Sequence, residues 1–199
     1  MIEGKGGIYM LTAYLVGFEA HLAPAFVIFF SAVLQSITGF GLVIVAAPLL
    51  MIFYDPKLTV PIMLLLACCA NFCQGLFALR TANLRLVFWL YLGVLCGQPL
   101  GFWAFDHASS AMLKVFISAI VLFSLGTMQA FHLRIRERPR NSWITGIFSG
   151  FTSITAGMGG PPFLIYLAHS RMTVEVMRAT CFVFFFLCNV TSLTSYELS

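Results

Sequence analysis

Long uncharged apolar runs alternate along this chain with short charged connections. The runs are Ala23–Tyr54 (32 residues), Leu58–Leu79 (22), Leu86–Phe105 (20), Val115–Phe131 (17), Asn141–Ala168 (28) and Ala179–Tyr196 (18). A bilayer core takes about 20 helical residues. The pattern therefore predicts an all-α integral membrane protein with about six transmembrane helices. The first and fifth runs exceed one straight crossing. Each carries glycines near its middle and proline beyond them: Gly39 and Gly41 with Pro48, then Gly157, Gly159 and Gly160 with Pro161 and Pro162. Such residues interrupt a helix, so both runs are expected to be broken.

The two breaks repeat each other. The first reads Ser36-Ile37-Thr38-Gly39-Phe40-Gly41, and the second Ser153-Ile154-Thr155-Ala156-Gly157-Met158-Gly159-Gly160-Pro161-Pro162. Downstream, Asp55-Pro56-Lys57-Leu58-Thr59-Val60 corresponds to His169-Ser170-Arg171-Met172-Thr173-Val174, and Asn71 to Asn189. The expected organisation is an N-terminal interfacial segment with a first four-span unit over residues 1–140, and a second unit of two spans over 141–199. If every segment crosses, both units run in the same direction. The second unit is expected to lack two spans, which a homodimer, another partner or a longer chain supplies.

Composition agrees with a membrane protein: 60% hydrophobic, 9% charged, mean hydropathy +0.96. Soluble domains carry about 25% charged residues. The net charge of +4 lies in connections between apolar runs and is not a nucleic-acid footprint. Arg134, Arg136, Arg138 and Arg140 make the densest basic connection. The positive-inside rule puts it in the cytoplasm. With six crossings, Arg80, Arg85 and the N-terminus share that side, and Lys57, Lys114, Arg171 and Arg178 lie opposite. The expected location is the plasma membrane, multi-pass, with the N-terminus inside. Cys68, Cys69, Cys73, Cys96, Cys181 and Cys188 lie in apolar runs without a CxxC pair, which indicates packing rather than a disulfide framework or zinc site.

Several stretches carry a family likeness. They are Gly39-Phe40-Gly41 with Pro48-Leu49-Leu50, Asp55-Pro56-Lys57, Gly157-Met158-Gly159-Gly160-Pro161-Pro162, and Met177-Arg178-Ala179-Thr180. In this order the chain resembles the TauE/SafE family of sulfite exporters and related sulfonate carriers, from about Phe26 to Tyr196. The resemblance implies export of a small anion such as sulfite or an organosulfonate. It implies no cofactor and no enzymatic step. Family members usually have about eight spans, two more than the six expected here.

A helix broken at glycine exposes backbone N–H groups that carry partial positive charge and cradle oxyanions. Candidate substrate-binding residues are therefore Ser36, Thr38, Gly39, Gly41, Asn71, Thr155, Gly157, Gly159, Gly160, Pro161 and Arg178. The bland reading of the small residues is close helix packing. Arg178 is either an anion ligand, an interfacial residue, or a partner of Glu175. Asn71, Gln74 and Asn189 either bond between helices or face a pathway. Asp106 and His107 are more simply a solvated pair than a proton relay. The leading expectation is a secondary carrier working by alternating access around the two breaks. The runner-up is a non-transporting membrane subunit that needs a partner to complete the pathway. A sulfur-handling redox enzyme is a third class, disfavoured by the cysteine spacing. Expected partners are the lipid bilayer and a small anion, not nucleic acid.

Overall fold

The computed structural model describes residues 22–37, 42–130, 139–157, 159–168 and 172–197. Among these, all regular structure is helical. The helices are α1 (Leu22–Ile37), α2 (Leu42–Leu50), α3 (Pro56–Ala78), α4 (Leu84–His107), α5 (Ser110–Ala130), α6 (Pro139–Ala156), α7 (Gly160–Ala168) and α8 (Val174–Glu197). Three of them, α3, α4 and α8, are long and apolar enough to cross a membrane.

Local chemistry sets the helix starts. Asp55 caps α3, its Oδ1 accepting the Lys57 N–H at 2.8 Å. Pro56 follows in the first turn, where its missing N–H costs nothing. Asn83 caps α4 by accepting the Leu86 N–H at 3.1 Å. Pro61 and Pro99 sit inside α3 and α4, as neighbouring helices permit in a membrane protein.

The closest helix pair is α4 against α6, which run side by side in the same direction. Gly93, Gly97 and Gly101 on α4 meet Gly146 and Gly150 on α6. A Cβ at Gly97 would overlap the Ile147 carbonyl, and one at Gly150 would lie 2.6 Å from the Val94 oxygen. Only glycine lets these backbones touch, and in an apolar medium such contact is what draws helices together. Large hydrophobics such as Phe77, Ile52 and Leu122 remain on the outer surface. So much exposed apolar surface belongs in lipid rather than water.

The fifth apolar run does not continue past its break. Ser142, in the first turn of α6, shares a hydrogen bond of 2.9 Å with Tyr166, in the last turn of α7. From Ser142 to Ala156 the helix climbs about 21 Å, so α7 must double back. The turn occurs at Gly157, whose φ is 69°, a backbone region that side chains with a Cβ resist. The Ser149 hydroxyl then donates to the Gly159 carbonyl, holding the return strand of the turn against α6. The first run also folds back: Pro24 and Ala25 at the start of α1 line one cavity with Leu50 at the end of α2.

These hairpins alter the expected topology. They begin at opposite ends of the bundle: α1 beside Tyr54 and Leu58, α6 beside Asn83 and Arg85. The expectation that both units run in the same direction depended on each long run crossing. Arg178 moves as well. It lines a cavity with Ala78 and Thr81, and the neighbouring Thr180 hydroxyl accepts the Asn83 N–H at 3.0 Å. Arg178 therefore lies at the Arg80 and Arg85 end, not opposite it. The reason is physical: a hairpin spends 28 apolar residues and returns to its own side, so counting crossings by parity fails.

Candidate functional site

Midway along the bundle the second hairpin meets α1, α2, α3 and α8 around a cavity of about 30 Å³. This volume admits roughly two water-sized groups. Its polar wall consists of Gln35 from α1, Asn71 from α3 and Asn189 from α8, with Gly157, Gly159 and Gly160 from the hairpin turn. Val43, Ile44, Ala67 and Phe185 complete it. The Gln35 side chain donates to Asn71 Oδ1 at 2.9 Å, and both residues are buried. Asn189 is 5% exposed and lines the cavity. An amide on a cavity wall offers both a donor and an acceptor to whatever the cavity holds.

The asparagines hold matching places. Asn71 is fifteen residues beyond Pro56 in α3, and Asn189 fifteen beyond Val174 in α8. Each is about 22 Å into its helix, and the two helices run in opposite directions, so the amides meet near mid-bundle. Measured from the helix starts the spacing is equal, whereas the Thr59 and Thr173 pairing in sequence leaves it four residues out.

The backbone contribution is uneven. Gly160 opens α7, but Pro161 and Pro162 follow and have no N–H to offer. Two of the N–H groups that would be free at that helix end are therefore missing. The first described turn of α2 (Leu42, Val43, Ile44) contains no proline.

A second, larger cavity of about 660 Å³ opens beside the first, lined by Ser36, Gln74, Thr81 and Arg178 among others. The Arg178 guanidinium donates to the Ser36 carbonyl at 2.7 Å. Its partner among the described residues is thus α1 and not Glu175.

Of the expected site residues, Asn71, Gly157, Gly159 and Gly160 converge on the small cavity, while Ser36 and Arg178 meet in the larger one. Thr155 is buried, and its hydroxyl donates to the Phe151 carbonyl at 2.8 Å within its own helix. It is outside both linings. Pro161 lies in the first turn of α7. Thr38, Gly39 and Gly41 lie outside the described residues. Sequence reasoning missed Gln35, although an amide inside a 32-residue apolar run was a visible signal. It noted Asn189 without assigning it to the site. Asp106 and His107 are exposed at the far end of α4, away from either cavity.

A family model, Sulfite exporter TauE/SafE, matches residues 24–199. The chain belongs to the sulfite exporter TauE/SafE family. No curated protein and no solved structure matched. TauE/SafE is a transporter family and not an enzyme family, and its members are membrane exporters of sulfite and related anions. Among the described residues, the polar groups lining the small cavity are amides and backbone. That set holds an anion by hydrogen bonds and offers no nucleophile or general base.

Proposed function

We propose that this chain is a secondary carrier exporting a small oxyanion, sulfite or an organosulfonate, through the cavity between Asn71 and Asn189, which widens from its closed form of about 30 Å³ to admit it. One observation supports this most directly: buried asparagines from α3 and α8 line one cavity bounded by a glycine turn at mid-bundle. Amide N–H groups and the N-terminal ends of α2 and α7 present partial positive charge to an anion. Neutral donors bind it without the tight grip of a buried cation, which suits a site that must also release.

Alternating access follows from two hairpins entering from opposite ends. Each seals the cavity from one side, and rocking one against the other exposes it to each side in turn. On this reading residues 1–140 contain the first unit and 141–199 the second, related as inverted repeats through α1–α2–α3 and α6–α7–α8. The end carrying Arg80, Arg85 and Arg140 faces the cytoplasm of the plasma membrane. Leu22 then starts on the opposite side.

The test is flux of labelled sulfite from proteoliposomes. Asn189→Leu should abolish flux while the protein still inserts and remains monodisperse in detergent. Undiminished flux in that variant would move the site elsewhere.

A further inference from the structure

The two cavities share a seam of three helices. On α1, Gln35 lines the small cavity and Ser36 the large one. On α3 the same division falls between Asn71 and Gln74, and on α8 between Phe185 and Phe182. Each pair is adjacent or one turn apart, so the cavities are successive chambers along α1, α3 and α8. The Gln35–Asn71 hydrogen bond, 2.9 Å long, stands where one passes into the other.

Arg178 is in the outer chamber, and its bonding there is incomplete. Its Nη2 donates to the Ser36 carbonyl of α1 at 2.7 Å. Its Nε is buried without a hydrogen-bond partner among the described residues, and so is Oε1 of Gln74 in the same chamber. Leaving such groups unpaired is costly. A guanidinium fork with an unused N–H fits an oxyanion, which takes two parallel hydrogen bonds from it. Rotation of the Gln74 amide would present its NH2 to the same anion.

We infer that the outer chamber is a second binding station for a small oxyanion and that its occupancy releases the inner gate through α1. This rests on the carrier reading above and adds a site to it. An anion on Nε and one Nη of Arg178 draws the guanidinium from the Ser36 carbonyl. Ser36 loses its tie to α8. Gln35, the adjoining residue, then parts from Asn71, and the inner chamber opens toward the outer one. No covalent step is involved.

Hydrogen–deuterium exchange on the full chain in phosphatidylcholine nanodiscs tests this, with methanesulfonate as the probe. In the parent protein the probe should speed exchange over residues 34–37 severalfold and saturably. Arg178→Gln should show fast exchange there without the probe, and no response to it. If that variant does not fold, Arg178→Lys carries the comparison. It should need roughly tenfold more probe, the worth of one charge-assisted hydrogen bond. An unresponsive parent protein overturns the proposal. So does a response produced by phosphatidylglycerol nanodiscs alone, which would make the chamber a lipid headgroup site. Asn189→Leu should lose flux yet keep the exchange response. Intact flux in Asn189→Leu counts against the inner site, and absent exchange counts against the outer one.

Discussion

Ser142 and Tyr166 share a 2.9 Å hydrogen bond that ties the first turn of α6 to the last turn of α7. Both residues are buried. Tyr166→Phe should leave the Ser142 hydroxyl with one partner fewer and cost about 1–2 kcal/mol. Thermal unfolding in detergent measures the loss. In a double-mutant cycle with Ser142→Ala the two effects should be sub-additive. Simple additivity would mean that the bond does not hold the hairpin.

Gly97→Leu should be among the most damaging single changes in the chain. The new side chain meets the Ile147 backbone, which cannot move as a flexible side chain would. Overpacking of this kind costs roughly 3 kcal/mol or more. Loss of a monodisperse peak in size-exclusion chromatography is the expected result. A stable, well-behaved variant would show that α4 and α6 tolerate separation.

Gly159→Leu addresses the turn itself. A Cβ there already lies 3.0 Å from Ser149 Oγ and 3.1 Å from the Ser149 carbonyl. A leucine side chain also points bulk toward the small cavity. Sulfite flux should vanish while membrane insertion, read by carbonate extraction, stays intact. Normal flux would rule out the turn as part of the pathway.

Asp55 gives a pH signature outside the apolar helices. Hydrogen bonds from Ser110 Oγ at 2.7 Å and from the Lys57 N–H hold its carboxyl below the ordinary carboxylate range. A carboxylate with a lowered folded-state pKa stabilises the fold above its unfolded value, and that contribution fades as pH falls through the folded value. Asp55→Ala should therefore lower the melting temperature at neutral pH. The gap from the parent should close in acid. A gap that stays constant with pH would assign the effect to the loss of a side chain rather than of a charge.

The sequence legibly carried the helical class, the membrane setting and the position of the second break. Apolar run length, proline and glycine act locally, and Gly157 turns the chain where its neighbours predicted. Asn71 and Asn189 stood out as amides within apolar runs, and both line the small cavity. The sequence reading did not single out the glycines at 93, 97, 101, 146 and 150, because their partners lie some fifty residues apart and only packing matched them.

Direction is what the sequence did not carry. A broken apolar run of 28 residues has the same composition whether it continues across the membrane or returns. Tertiary contact between Ser142 and Tyr166 decided for return, and with it which end Arg178 occupies. The same folding set Gln35 against Asn71 and brought the Arg178 guanidinium to the end of α1. Hydrophobic length fixes how much chain lies in the apolar phase, and long-range hydrogen bonds fix where it goes there.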